Sequence, residues 1–369
     1  MKMIPVAEPW IDERELELAS ECIRSGWVSS LGKYIGEFEK RFSEYCHARH
    51  GVATTNGTTA LHLALCALDI GPGDDVIVPT LTFIATANAV RYVGANPVFV
   101  DSEPYTWCLD PNKIEDKITP RTRAIIPVHL YGHPCDIDPI LKLAKRHNLH
   151  VVEDAAEAHG AEYKGRKVGS FGDISCFSFY GNKIITTGEG GMCLTSDEKL
   201  AQKMRMLRDQ AMDPQKRYWH TDIGYNYRMT NIQAAIGVAQ MEKIDRIITI
   251  KRRNAKAYNT LLENVPGISI PPEAEWAKNV YWMYSILLEE DASISRDDLM
   301  LKLKEDGIDT RPFFYPMHTQ PPYAKNRCSL PVAEDLSQRG INLPSSPLLK
   351  EREIEYIVQS LLKHLRKLA

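Results

Sequence analysis

The sequence predicts an α/β fold, a large domain with a mostly parallel mixed sheet followed by a smaller α+β C-terminal domain. Three observations carry this. Between about residues 50 and 200, short β-rich runs alternate with amphipathic helical stretches, the order that covers a parallel sheet with helices on both sides. The runs are apolar without polar alternation, as strands buried on both faces are. Finally, single cores usually stop growing at roughly 250–300 residues, and this chain has 369. A division at 12–245 and 246–369 follows, with residues 1–11 joining the second part.

The predicted strands are 50–54, 75–79, 97–101, 124–129, 150–154, 174–179 and 191–195, with helical patterns such as 58–68, 83–93, 112–118 and 139–147 between them. In sheets of this kind ligands collect at the carboxyl ends of the strands. A long helical pattern without proline runs from 231 to about 263, and Pro266, Pro271 and Pro272 punctuate the chain after it. Strand-like 280–288, a helix at 296–306, strand-like 310–315 and a last helix at about 351–368 then fit an α+β unit.

Composition narrows the function. Lys+Arg number 45 against 48 Asp+Glu, a net charge of −3. This offers no broad basic surface, so nucleic acid is not expected as a partner. The longest stretch without Asp, Glu, Lys or Arg, 50–68, carries Thr54, Thr55, Asn56, Gly57, Thr58 and Thr59, a block that no membrane-spanning helix tolerates. The opening MKMIPVAEPW has no signal-peptide core. A cytoplasmic protein is expected. The eight cysteines form no C-x-x-C pair, so neither a zinc ribbon nor a dithiol centre is expected. His129, His133, Cys135 and Asp136 lie close in sequence, but Gly132 and Pro134 break them into a turn. No metal is assigned to them.

The chemistry concentrates in HVVEDAAEAHG and DISCFSFYGNKIITTGEGGM. Asp154 ends one strand, and Lys183 follows another in a turn opened by Gly181 and Asn182, ahead of the permissive Thr186–Gly191 loop. A lysine amine and a carboxylate at neighbouring strand ends are what pyridoxal phosphate requires. The amine forms a Schiff base, and the carboxylate keeps the pyridine nitrogen protonated. The phosphate has a candidate site where Asn56, Gly57, Thr58 and Thr59 open the first helix, with free N–H groups and a positive helix end. Ser178 can add a hydroxyl and Phe83 a flat ring. Each residue has a plainer use alone: Asn56 as a helix cap, Phe83 as core, Ser178 as a satisfied hydroxyl, Asp154 as a turn former, Lys183 as a solvated surface group. Together they fall at the strand ends of one sheet, which favours the shared reading.

The motifs NGTTALHLAL, VIVPTLTFIATANA, PVHLYG, VVEDAAEAHGA, SFYGNKIITTGEGGM, GYNYRMTNIQAAIG and RPFFYPMH span most of the chain. In them the sequence resembles the DegT/DnrJ/EryC1/StrS sugar aminotransferases, a fold-type I branch of pyridoxal-phosphate enzymes. The resemblance implies that Lys183 is the Schiff-base lysine and Asp154 the partner of the pyridine nitrogen. It implies Gly57, Thr58 and Ser178 as phosphate ligands, Phe83 as the stacking ring, and Glu157 where many relatives carry glutamine near the ring hydroxyl. Asn226 matches a residue that reaches the phosphate of a neighbouring subunit, so a homodimer with shared active sites is implied. A related dehydratase carries histidine at the lysine position. Lys183 therefore favours transamination.

The resemblance further implies L-glutamate as amino donor, pyridoxamine 5′-phosphate as the intermediate cofactor form, and GDP-4-keto-6-deoxy-D-mannose as the sugar aminated at C4. GDP-perosamine is the implied product, with a place in O-antigen and lipopolysaccharide biosynthesis. Trp27, Ser29, Lys33, Arg217 and His318 are candidates for substrate contact. The alternatives are a UDP- or dTDP-linked keto-sugar aminated at C4 or C3, and a non-catalytic regulatory protein that keeps the fold.

Overall fold

The computed structural model describes residues 3–290, 292–324 and 328–366. Seven strands form its main sheet in the order His50–Thr54, Gly191–Thr195, Ile174–Ser178, His150–Asp154, Thr122–Ile125, Asp75–Pro79, Asn96–Val100. Gly191–Thr195 runs antiparallel to both its neighbours, and every other pairing is parallel. Successive side chains enter different cores. Val76 and Val78 join one apolar cluster and Ile77 the other; Ile174 and Cys176 face one side and Phe177 the opposite side. With both faces covered, a strand has no reason to alternate with polar residues.

Because one strand is reversed, its start meets the ends of two others: Gly191 pairs with both Thr54 and Ser178. Only glycine fits there, since a Cβ would lie 2.2 Å from the Asn56 carbonyl oxygen. Asn56 then opens the helix Gly57–Ala67 with reciprocal capping. Its Oδ1 accepts the Thr59 N–H at 2.9 Å, and Thr59 Oγ1 accepts the Asn56 N–H at 3.2 Å.

A second sheet, antiparallel throughout, has the order Ile268–Ser269, Tyr284–Leu288, Gly340–Leu343, Arg311–Pro312. Helices Ile244–Leu262, Arg296–Glu305 and Glu351–Arg366 cover it through Tyr258, Leu299, Leu303, Ile357 and Leu361. The N-terminal segment is tied to this unit, Ile4 exchanging backbone bonds with Gly307 and Asp309, and Val6 accepting from Ser345. Among the described residues no helix is long and apolar enough to cross a membrane.

Several elements differ from the sequence reading. The helix expected at 231–263 is two, Asn231–Met241 and Ile244–Leu262. The break falls at Lys243, whose amine lies 2.8 Å from both Asp12 and Glu15. Helices Glu13–Ser25, Lys33–Tyr45, Glu198–Arg208 and Pro331–Arg339 were not among the predicted elements. Residues 112–118 make two short 3-10 turns, Pro111–Lys113 and Glu115–Lys117, rather than one helix. The strand expected at 124–129 is Thr122–Ile125, stopped before Pro127, which has no N–H to give. Residues 280–283 turn instead of extending, with Tyr281 at φ +49°. Pro312 limits the strand near 310–315 to Arg311–Pro312. The last helix is described to Arg366, and the predicted residues 367–368 lie outside the described residues.

Candidate active site

A cleft of about 360 Å³ opens at the strand-end edge of the main sheet. Gly57, Thr58, Phe83, Asp154, Glu157, Ser178 and Lys183 all line it. Asp154 is the last residue of its strand and is buried. Thr86 Oγ1 donates to its Oδ2 at 2.8 Å, and the Ala156 N–H donates to its Oδ1 at 3.2 Å. Burial raises its pKa, opposed by those two donors and by Lys183.

Lys183 sits in the turn after Ile174–Ser178, its N–H donating to the Tyr180 carbonyl at 2.9 Å. The side chain is only 11% exposed, with Nζ 3.9 Å from Glu157 Oε1 and 3.8 Å from the centre of the Trp282 ring. Burial lowers its pKa, and the charges of Glu157 and Asp154 oppose that. Burial conversely raises the pKa of Glu157, against the pull of Lys183 and of the Tyr131 N–H, which donates to its Oε2 at 2.8 Å. A buried amine and two buried carboxyls thus share a small volume in which protons are readily redistributed.

The other end of the cleft is a cradle for an anion. The helix Gly57–Ala67 starts there, so the N–H groups of Gly57 and Thr58 have no partner within the helix. Ser178 faces them at close range: a Cβ on Gly57 would lie 2.7 Å from the Ser178 Cβ. Asn182 also lines the cleft, and its Oδ1 is buried without a hydrogen-bond partner.

Five further residues of the site were not singled out by sequence reasoning, although four of them, Thr86, Tyr131, Tyr180 and Phe314, fall inside the motifs quoted above. Thr86 lies one turn past Phe83 in sequence. Tyr131, Trp282 and Phe314 stack in one wall, with Trp282 and Phe314 contributed by the C-terminal region. Tyr180 completes the lining. Phe83, 56% exposed, leans on Phe314 with ring centres 5.9 Å apart.

The remaining predicted residues lie elsewhere. Asn226 is exposed and pairs with Asp209. Trp27 and Lys33 border a different cleft of about 550 Å³, in which Lys33 pairs with Glu21 at 2.6 Å. Ser29 is exposed, its carbonyl accepting from Asn231, and Arg217 is exposed beside Tyr218. His318 is buried outside the cleft. Its Nδ1 lies 2.7 Å from Thr80 Oγ1 and its Nε2 3.0 Å from Glu334, a clip that consumes both ring nitrogens. His318 is thus not among the residues that the structure brings into the cleft.

A doubly covered sheet with a buried lysine, two buried carboxyls and an anion cradle at its strand ends is the layout of an α/β enzyme, and its family makes it an aminotransferase. The pattern of the DegT/DnrJ/EryC1/StrS aminotransferase family matches residues 9–362, and the chain belongs to that family. It is 52% identical over 360 residues to the GDP-perosamine synthase of Caulobacter vibrioides, covering 97% of each chain. It is 50% identical over 361 residues to the GDP-perosamine synthase of Escherichia coli O157:H7, covering 98% of each. The sugar aminotransferase Spr1654 from Streptococcus pneumoniae, solved in a PLP-form, superposes with a TM-score of 0.94 at 27% identity, covering 100% of both chains.

Proposed function

We propose that this chain transfers the amino group of L-glutamate to C4 of GDP-4-keto-6-deoxy-D-mannose, giving GDP-perosamine and 2-oxoglutarate, with pyridoxal 5′-phosphate as cofactor. The observation that carries the reading is Lys183, a buried amine set between Glu157, Trp282 and the Asp154 strand end. The choice of sugar and nucleotide leans on the two named relatives at about half identity.

The cleft residues fit the cofactor. The glycine-narrowed cradle of Gly57, Thr58 and Ser178 suits its phosphate. Bound there, pyridoxal phosphate supplies a carbonyl carbon that accepts and releases the amino group, and a pyridinium ring that takes up an electron pair. The remaining work falls to the protein. Asp154, whose charged form Thr86 and the Ala156 N–H favour, would hold the proton on the pyridine nitrogen. Phe83 lies against the ring face. Lys183 Nζ provides the covalent anchor and, when released, carries a proton to and from the substrate carbon. Its pKa, lowered by burial from an ordinary value of about 10.4, makes the free amine accessible nearer neutrality.

In the same reading the protein acts as a cytoplasmic homodimer. Asn226, exposed and outside its own cleft, reaches the phosphate of a second copy, and Trp27, Ser29, Lys33 and Arg217 serve the sugar nucleotide at or across that boundary. The test is incubation of the purified protein with pyridoxal phosphate, L-glutamate and GDP-4-keto-6-deoxymannose, with mass analysis of the product. An amino sugar formed in preference to those from UDP- and dTDP-linked 4- or 3-keto-sugars is expected. Preference for one of the latter would overturn the substrate, and no amination of any would overturn the reaction.

A further inference from the structure

The turn Leu130–Gly132, behind the cleft wall, carries a left-handed residue. Tyr131 has φ +54° and ψ +16°, a left-handed conformation that bulky side chains rarely adopt and that persists only when its surroundings hold it. The holding groups are identifiable. Its hydroxyl accepts the Phe314 N–H at 2.9 Å. Its ring stacks on Phe314 at 5.2 Å and on Trp282 at 6.3 Å, both with planes 23° apart. The next residue has no side chain because none fits: a Cβ on Gly132 would lie 2.7 Å from the Trp282 nitrogen. Val280 N–H donates to the Gly132 carbonyl at 3.1 Å.

The same strained backbone aims the Tyr131 N–H at Glu157. Trp282, clamped by this turn, donates from Nε1 to the Asn182 carbonyl at 2.8 Å and presents its ring to Lys183. Both contacts of the Lys183 amine, Glu157 and Trp282, are therefore set by one residue that touches neither the amine nor the cradle. We propose that Tyr131 is a positioning residue that fixes Glu157 and Trp282 around Lys183 and ties their placement to the packing of the C-terminal region. This rests on the reading of Lys183 as the cofactor-bearing amine.

The direction of the effect follows from the charges. Glu157 faces Lys183, Asp154 and the Tyr131 N–H. The Tyr131 backbone N–H survives any substitution, but without the ring clamp its aim at Glu157 is no longer fixed; a weakened bond disfavours the Glu157 carboxylate, so a positive charge on the Lys183 nitrogen loses its closest counter-charge.

The experiment titrates the visible absorbance of the cofactor-loaded enzyme against pH and measures kcat and KM in parallel. Tyr131→Gly tolerates the left-handed turn but lacks the ring clamp; Tyr131→Phe keeps the ring and loses only the hydroxyl. For Tyr131→Gly the absorbance midpoint is expected to move down by roughly half a unit or more. Its kcat should fall about tenfold, with KM for the sugar within about threefold. Tyr131→Phe should keep the wild-type midpoint. An unchanged or upward midpoint in folded Tyr131→Gly would overturn the proposal even if activity fell. So would a downward shift as large in Tyr131→Phe. Borohydride trapping of wild type on a residue other than Lys183 would instead remove the underlying reading, a separate result from either.

Discussion

Thr86 donates a 2.8 Å hydrogen bond to Asp154 from the opening of the helix Ala85–Tyr92, while the strand His150–Asp154 delivers the carboxylate from the opposite side. Burial drives this carboxyl toward its neutral form, and the Thr86 hydroxyl opposes that most strongly, ahead of the Ala156 N–H and Lys183. Thr86→Val removes the hydroxyl at nearly constant volume. A hydrogen bond to a charged group contributes about 1.5–3 kcal/mol, so turnover is expected to fall roughly 10- to 100-fold. Thr86→Ser should restore most of it. Equal kcat values for the valine and serine variants would show that the bond does not matter.

Gly57 and Ser178 approach so closely that the cradle depends on the missing side chain. Gly57→Ala would place a Cβ 2.7 Å from the Ser178 Cβ, where the partner is a strand residue with little freedom to retreat. The helix start must move away and its N–H groups lose their convergence on an anion. Pyridoxal phosphate should bind at least about tenfold more weakly, a loss of about 1.4 kcal/mol. A spectroscopic titration of the apo-protein with cofactor measures this directly. Wild-type affinity would place the phosphate elsewhere.

How much of this was legible in the sequence depends on how far a signal travels along the chain. The apolar runs announced the sheet, and Asp154, Ser178 and Lys183 sat in or just after those runs, so their meeting at one edge followed from strand direction. Trp282 and Phe314 had no such cue. They come from segments that tertiary packing carries to the cleft. Lys243 looks like an ordinary helical residue, yet the helix breaks there and its amine pairs with Asp12 and Glu15, more than 200 positions away. The left-handed turn at Tyr131 is equally hidden, since what sustains it is its clamp between Trp282 and Phe314. His318 shows what a motif alone leaves out: a polar residue near it invites a substrate role, while in the fold both its nitrogens lie against Thr80 and Glu334.

Glu153 should govern the acid limit of the fold. It is fully buried, and burial by itself would raise its pKa. His129 and the N–H groups of Gly172 and Gly169 overcome that and hold it down at about 2. Phe171 N–H and Ser175 Oγ donate as well, both at 2.7 Å. With the folded value below the ordinary 4.5, the unfolded chain binds the proton first as pH falls. The stabilisation is therefore complete above about pH 4.5 and is lost on the way down to about 2, a span worth about 3 kcal/mol. Glu153→Gln should lower the melting temperature at pH 7 and flatten its decline in acid. A variant whose melting temperature falls with pH as steeply as wild type would assign acid sensitivity to other carboxyls.

Among the described residues two lysines, Lys183 and Lys251, are buried with depressed pKa values, and they separate chemistry from burial. Lys251, at about 7, owes its shift to burial alone. Its amine is boxed against Ser345, donating to the carbonyl oxygen at 2.5 Å, and it is not part of the cleft that Lys183 lines. Lys183 has its shift opposed by two carboxyls and opens onto the space between the anion cradle and Trp282. If a low pKa were sufficient, pyridoxal phosphate would attach to either amine; if the surrounding geometry is required, only Lys183 can serve. Borohydride reduction of the loaded enzyme, followed by peptide mapping, should place the pyridoxyl group on the peptide containing Lys183 and leave Lys251 unmodified. Lys183→Ala should fold normally and lose turnover by on the order of 10³ or more. Label on Lys251, or activity retained in Lys183→Ala, would refute the assignment of the anchor.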